Sequence, residues 1–365
     1  MFLTNPFPNA FGLDIGDLSI KLVQLERRLS WRRCDNFRVR EVRTMRLPPG
    51  LIVNGDIEQP ELVRKKILQL LAWHPGTKRP LTTKWVVANL PEPKTFLKLI
   101  TVSAPVIEVN DDAIIFEAKK HLPFALEGAY LDWQIVPGAD LQNTSVLIGA
   151  VPKVTADAYT YLLESVDLHP LAFEIEAAAV ARSMITGTKL YAGEARVILD
   201  LGATRSHLIV YDHGCIQFST TLPFSGELLT MAIVQQLKID YTMAEKLKLD
   251  TGLRHTTAYP MYLPAIHGIV EQLITDIKRA LLFYKEHFPE PNQITHITLC
   301  GGTAQLKNIS TVLSSKLKIS SHPGNVWKNI MCGTMNEIEK SQGLSLAAVL
   351  GLAIRATHEY HDLML

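Results

Sequence analysis

The sequence predicts a duplicated, two-lobed α/β fold. Three observations carry that expectation. An Asp-x-Gly hairpin opens the chain at Asp14-Ile15-Gly16, and a second one follows at Asp200-Leu201-Gly202. Each is followed by further strands and then a helical segment. A late apolar strand, Ile294–Cys300, runs into Gly301-Gly302-Thr303 and a helix. An internal repeat fixes architecture before local chemistry is read. The chain's 365 residues suit two or three lobes at ~100–200 residues each.

In the first half, Phe11–Ile15 and Ile20–Leu25 are apolar runs around a Gly/Asp/Ser turn, which is a hairpin signal. Phe37–Met45 alternates and reads as a third strand. Asn54-Gly55 marks a turn. Glu61–Leu71 is helical, with Leu62, Ile67, Leu70 and Leu71 on one side. The stretch 74–81 carries Pro75, Gly76 and Pro80 and reads as a loop. Trp85–Asn89 and Phe96–Val102 are strands. Asp111–Leu122 is a helix whose acidic start and basic end, Lys119 and Lys120, suit the helix dipole, and Pro123 stops it. Leu131–Val136 and Thr144–Val151 are strands, and Thr155–Val166 is a helix.

The pattern restarts near residue 190. Arg196–Leu201 and His207–Tyr211 form the second hairpin, Cys215–Leu222 the next strand and Glu227–Leu237 a helix. Val270–His287 is a long helix, with Leu273, Ile277, Leu281 and Tyr284 on one face. After Ile294–Cys300, helices are expected over Ala304–Leu317 and Gly343–Thr357. The corresponding blocks are 1–90, 91–170 and 171–365.

Composition removes several function classes. The 37 basic and 36 acidic residues leave a net charge of +1, no electrostatic footprint for nucleic acid. Cys34, Cys215, Cys300 and Cys332 form no CxxC, so no zinc ribbon or dithiol redox site is readable, and reduced thiols are expected. Met1–Pro8 lacks the charged and apolar regions of a signal peptide. The longest apolar-rich run, Leu344–Ile354, is well short of the ~20 residues needed to cross a bilayer. A cytoplasmic location is expected, with membrane contact only through a partner.

The three glycine turns share a physical logic. Glycine lets backbone amides approach a phosphate closely, because no Cβ intervenes. The Asp ending each preceding strand suits Mg²⁺ or its water shell, since Mg²⁺ takes carboxylates plus retained waters. Lys21 can reach a phosphate oxygen from the second strand. Gly301-Gly302 lets a ring or phosphate lie against backbone near a helix start. Neither GxxxxGK[ST] nor GxGxxG is present, so neither a P-loop nor a Rossmann fingerprint applies.

This order of motifs resembles the actin-like ATPase superfamily, and most closely its PilM family of type IV pilus assembly. Gly12–Lys21 with Leu22–Leu25 resembles that family's opening, and Val53–Ile57 its short connecting turn. Glu117–Phe124 with Leu131-Asp132-Trp133-Gln134 resembles its inserted subdomain, Asp200–Thr204 its second phosphate loop and Leu299–Gly302 its adenosine loop. The resemblance implies an actin-like (ribonuclease H-like) fold with a small inserted α+β subdomain, and ATP with Mg²⁺ as ligand. It places Asp14, Gly16, Ser19 and Lys21 on the first phosphate loop. Asp200, Gly202, Ala203 and Thr204 fall on the second, with Asp14 and Asp200 at the metal, directly or through water. Gly226, Glu245 and Lys248 fall at the nucleoside, with Gly301, Gly302 and Thr303 completing the site. It further implies that the inserted subdomain holds the short cytoplasmic N-terminal peptide of a PilN-like membrane protein. That peptide would dock in a cleft bounded by Phe96–Val102 and Asp112–Leu122. Self-association is left open.

Two positions depart from the pattern. Asp17 stands where a small residue is usual, and a second carboxylate there repels a polyanion. It either adds a Mg²⁺ contact or points to solvent, and solvent is the simpler expectation. Ser225 replaces a glycine and restricts the backbone. For hydrolysis, Glu174 or Glu176 could orient a water, or serve only the helix dipole; Glu176 joins Asp14 as the candidate catalytic pair. Nucleotide binding with weak turnover at most is the expectation.

Lesser features read as structural. His358 and His361 lack a third ligand. Trp73, Trp85 and Trp133 read as packing residues, and Arg27-Arg28 with Arg32-Arg33 as a solvated hairpin tip. The runner-up reading is an FtsA-like polymerising division protein, for which the end at Ala356–Leu365 lacks a basic amphipathic anchor. A sugar-kinase-like phosphotransferase would need a polar acceptor pocket and a catalytic Asp.

Overall fold

A computed structural model describes residues 7, 9–27, 37–72, 81, 83–136, 142–187, 189, 191–330 and 343–357. Trp73, Arg28, Arg32, Arg33, Cys34, Cys332 and the His358/His361 pair therefore lie outside the described residues. The chain divides into two compact units. One comprises the described residues of Met1–Ile185, Lys328–Gly333 and Ala348–Leu365; the other comprises those of Thr186–Trp327 and Thr334–Ala347.

In the first unit, β1 (Phe11–Ile15), β2 (Ser19–Arg27) and β3 (Phe37–Arg46) form the antiparallel meander read from the apolar runs. A two-residue ladder, β4 (Ile52–Val53) with β5 (Asp56–Ile57), flanks the Asn54-Gly55 turn, and α1 (Pro60–Leu71) follows. Strand β6 (Trp85–Leu90) then pairs parallel with β1. The inserted segment is β7 (Phe96–Val102), α2 (Asp111–Lys119), β8 (Ala129–Val136) and β9 (Thr144–Pro152), a three-stranded antiparallel sheet with the helix on one face. Its small core joins Ile100, Val102, Ile114, Ala118, Val146 and Ile148, with Trp133 packed against it. Asn110 caps α2, its Oδ1 accepting the Ala113 amide at 2.9 Å.

The chain then returns to the first sheet. Helix α3 (Lys153–Glu164) buries Tyr159, Leu162 and Leu163 in the same core as Phe11, Leu13, Ile67 and Val86. Strand β10 (His169–Ile175) pairs parallel with β6 and leads into α4 (Glu176–Met184). The sheet order is β10-β6-β1-β2-β3.

The second unit repeats this construction. Strands β11 (Glu194–Leu201), β12 (Ser206–Asp212) and β13 (Cys215–Leu222) form the meander. Helices α5 (Gly226–Leu237), α6 (Tyr241–Thr251) and α7 (Tyr262–His287) cover one face. Strand β14 (Gln293–Cys300) pairs parallel with β11, α8 (Ile309–Leu317) follows, and β15 (Ser320–Pro323) pairs parallel with β14. Within this unit the order β15-β14-β11-β12-β13 reproduces the pairing pattern of the first sheet. The internal repeat read from two hairpins is thus a repeat of whole five-stranded sheets.

The last helix, α9 (Ala347–Thr357), brings Leu352 and Ala356 against Val87 and Ala179 on the face of the first sheet opposite α1 and α3. The apolar run Leu344–Ile354 is therefore core, and no described helix is long and apolar enough to cross a membrane. The contact division falls at Ile185 rather than at the expected boundary of 170, because β10 and α4 complete the first sheet and its cover. The helix expected over Ala304–Leu317 is instead a 3₁₀ turn, Gly302–Gln305, and then α8, because Asn308 takes the left-handed conformation at φ 67°. Cys215 and Cys300 are buried and not in a disulfide, and burial pushes the Cys215 thiol up to about 12.

Candidate functional site

The first hairpin places its functional side chains by strand register. Asp14 lies opposite Lys21, and paired residues share a face. Lys21 Nζ donates to Asp14 Oδ2 at 2.7 Å, and Asn89 Nδ2 donates to Asp14 Oδ1 at 3.1 Å. Asn89 in turn accepts the Ile15 amide at 2.7 Å, which fixes the end of β1. Asp14 is only 4% exposed, so its charge is held in place by neighbours rather than water. The Gly16 amide donates to Ser19 O at 3.0 Å and closes the turn, leaving Gly16, Asp17, Leu18 and Ser19 half-buried at the tip.

Asp17 corrects its expectation. It does not simply point to solvent: Oδ2 accepts the Asn54 amide and Oδ1 the Gly55 amide, each at 3.2 Å. The residue binds a turn of its own chain.

The second hairpin has the same register with different chemistry. Asp200 lies opposite His207. Burial, helped by the charge of Arg205, brings the His207 imidazole down to about 3, so it is neutral where the first hairpin has an ammonium. Ala203 and Thr204 are exposed at the tip.

Two further segments converge on this tip within the second unit. The Gly226 amide donates to Gly202 O at 3.1 Å, and the Glu227 amide to Ala203 O at 2.9 Å, so the start of α5 holds the loop. Thr303 Oγ1 donates to the same Gly202 carbonyl at 2.8 Å. A Cβ on Gly226 would lie 2.6 Å from Thr303 Oγ1, a clash that explains the glycine. Gly301 adopts φ +85°, and its would-be Cβ would lie 2.3 Å from Asp200 Oδ1. Gly302, by contrast, faces open space. Ser225 is extended at φ −156°, a conformation open to any residue, and its hydroxyl accepts the Leu228 amide at 3.1 Å. The expected backbone restriction is therefore replaced by a helix cap.

Lys248 and Glu245 sit beneath α5. Lys248 is buried, and Nζ donates to Gly226 O at 2.9 Å, to Thr230 Oγ1 at 2.7 Å and to Glu245 Oε2 at 2.7 Å. All three of its donors thus go to the framework of the loop. Glu245 is more open, with its side chain 36% exposed.

The segment entering α4 separates its two glutamates. Glu174 is buried between Arg182, which holds it bidentately, and Arg355, whose Nη1 lies 3.0 Å from Oε1. Burial pushes its carboxyl up, but Arg182 and then Arg355 outweigh burial and hold it below the usual range. Orienting a water is not open to it. Glu176 is the first residue of α4 and half-buried, next to the Ala177 amide that donates to Glu92 Oε2 at 3.1 Å. Asn89, Thr230 and Glu92 were not among the residues read from sequence. Each is a polar side chain embedded in an apolar strand, a helix interior or a Pro-flanked turn, so no local pattern marks it.

Among the described residues no group of three or more His, Cys, Asp or Glu side chains is arranged to hold a metal ion. Asp14 and Asp200, each taken within its own unit, are single carboxylates at a strand end, the donor type that Mg²⁺ takes while keeping its waters.

A model of the type IV pilus assembly protein PilM matches residues 12–357. Among solved structures, a PilM-PilN type IV pilus biogenesis complex superimposes with a TM-score of 0.81 at 22% identity, covering 97% of this chain and 100% of that one. The ethanolamine utilization protein EutJ of Carboxydothermus hydrogenoformans follows at TM-score 0.55 and 16% identity, covering 96% and 90%. MreB 5 of Spiroplasma citri bound to AMPPNP gives TM-score 0.55 and 12% identity, covering 95% of each chain. At these identities the structures establish the fold, which is that of the actin-like ATPases. The family match spans nearly the whole sequence, and on that ground the chain belongs to the PilM family of type IV pilus assembly proteins.

Proposed function

We propose that this protein is an ATP-binding, actin-like scaffold of the type IV pilus assembly machine, held at the cytoplasmic face of the inner membrane by a PilN-like partner. The observation that carries the nucleotide reading is the convergence of Gly202–Thr204, the α5 start, Glu245 and Gly301–Thr303 on one polar cluster. The open space at Gly302 and the exposed tip at Ala203-Thr204 fit a ligand lying against backbone. Bound Mg·ATP supplies a polyanion and its metal.

In this reading the chain's own residues bind and orient. Asp14 and Asp200, at register-equivalent places in their own sheets, would each serve the metal, directly or through water. Lys21 holds the Asp14 carboxylate in place. Ser19, Gly16 and the Gly202–Thr204 tip contact phosphate, and Glu245 accepts from ribose hydroxyls. Gly301 and Gly302 let the adenine approach, and Thr303 fixes the loop beneath it. Lys248 acts on the nucleoside through the α5 framework that it braces. Glu174 is committed to two arginines, and Glu176 at the start of α4 is the candidate to orient a water. We infer turnover that is weak at most.

The partner reading rests on the family and on exposed apolar side chains of the inserted subdomain. Phe116 on α2 and Ile107 in the preceding loop are 67% and 89% exposed. The proposed ligand is the N-terminal cytoplasmic peptide of a PilN-like protein; because α2 packs directly on β7 through Ile100, Val102, Ile114 and Ala118, the peptide is seated on the exposed side of this pair rather than between its members.

The test is a titration of Mg·ATP into the full chain and into Asp14→Ala and Asp200→Ala. Each variant is expected to bind at least about tenfold more weakly, which is ~1.4 kcal/mol. Unchanged affinity in both would refute the site. A synthetic PilN-type peptide that fails to bind the wild-type chain would refute the partner reading.

A further inference from the structure

Asp17 has no part in the phosphate chemistry above, yet its contacts lead furthest through the first unit. It stands at the tip of the first hairpin and accepts two successive amides, those of Asn54 and Gly55. The turn it grips is itself wedged. Gly55 takes φ +80°, and a Cβ there would lie 2.4 Å from Pro91 Cβ. Gly55 O accepts the buried Tyr159 hydroxyl at 3.1 Å, and Asp56 pairs with Lys94 at 2.6 Å. Residues Pro91 to Lys94 join β6 to β7, the way into the inserted subdomain. Glu92 in that same segment accepts the Ala177 amide at the start of α4. A continuous set of contacts therefore runs from the hairpin tip to the base of β7 and the N-terminus of α4.

We propose that Asp17 is a positioning residue that clamps the first hairpin to the Asn54-Gly55 turn and so couples nucleotide occupancy to the inserted subdomain. This rests on the nucleotide-binding reading and adds its regulation. The sign of one measurement separates the clamp from its rival. A carboxylate facing a polyphosphate repels it, and removing that charge tightens binding. A carboxylate spent on two backbone amides orders the hairpin, and removing it weakens binding. Coupling is reciprocal, so a ligand that orders the hairpin also orders the entry to β7.

The experiment uses the full chain as wild type, Asp17→Ala and Asp17→Asn, with Mg·ATP titration and amide hydrogen exchange. Asp17→Ala is expected to bind Mg·ATP about tenfold more weakly, the loss of two modest hydrogen bonds. Asp17→Asn, which keeps one carbonyl acceptor at nearly the same size, falls between, and it remains readable if the alanine variant folds poorly. Without nucleotide, the Asn54 and Gly55 amides exchange faster in Asp17→Ala. With nucleotide, exchange slows over 52–57 and 91–102 in the wild type but not in Asp17→Ala. Equal or tighter binding in both variants overturns the proposal, as does nucleotide protection of 91–102 that survives the alanine change. Failure of the wild type to bind Mg·ATP overturns the nucleotide reading and the coupling together, whereas ligand-free exchange at Asn54 and Gly55 tests the clamp by itself.

Discussion

Replacing Lys248 by methionine asks whether this ammonium supports the loop or touches the ligand. Methionine keeps an unbranched stem of similar length and removes three donors. The Gly226 carbonyl and the Thr230 hydroxyl lose their partner in the buried layer under α5, while half-exposed Glu245 regains water. Hydrogen bonds to charged groups contribute about 1.5–3 kcal/mol each, and the solvated Glu245 pair adds little. Thr230 still reaches Gly226 O at 2.9 Å, so its loss is small. The net expected destabilisation is about 2–3 kcal/mol. For a unit of this size each kcal/mol moves the melting temperature by ~2–4 °C, a drop of roughly 4–12 °C. Differential scanning calorimetry of the ligand-free chain reads that drop, and Mg·ATP titration reads the accompanying loss of affinity. A variant that melts within about 2 °C of wild type but no longer binds nucleotide would refute the framework role, since even the low end of the estimate exceeds that shift.

Two further outcomes follow from buried charge. Glu174→Gln leaves Arg182 and Arg355 facing each other without their carboxylate and should destabilise the first unit by ~3–5 kcal/mol in urea denaturation. Because the Glu174 carboxyl is held below its usual range, its contribution is fully present above the unfolded value of ~4.3 and lost as pH falls through the folded value; the glutamine variant should flatten that acid limb. His207 is depressed to about 3, so the unfolded chain takes up the proton first as pH falls below the ordinary ~6.5. Stability present above that value should decline toward about 3, by at most ~1.4 kcal/mol per pH unit. His207→Gln should remove the slope between pH 4.5 and 6.5, and a slope that persists would show that another group carries it.

The two meanders were legible because apolar runs of strand length flank short turns, and a hairpin needs nothing beyond its own neighbourhood. The helix α2 was legible from its acidic start and basic end. Strand β15, with the sequence Ser-Ser-His-Pro, carries no such pattern; its parallel partner β14 and the helix between them place it. The long helix α7 begins at Tyr262 rather than Val270, because Pro264 falls in its first turn, where a missing amide costs nothing. The break ahead of α8 depends on the left-handed Asn308, which no periodicity reports.

The same division runs through the site. Turn residues such as Gly16, Gly202 and Gly301 could be placed from the chain alone, since a tight turn between strands is a local demand of backbone sterics. What each charge does could not. Asp17 and Glu174 look like free carboxylates in the sequence, yet one is bound to amides 37 and 38 positions away and the other to Arg182 and to Arg355, 181 positions on. Lys248 looks like a ligand contact and is spent on Gly226, Thr230 and Glu245. Backbone geometry is set by near neighbours, so motif order alone announced a duplicated α/β chain. The work of a buried charge is set by whichever donors and acceptors the fold brings beside it, and those assignments waited for the folded chain.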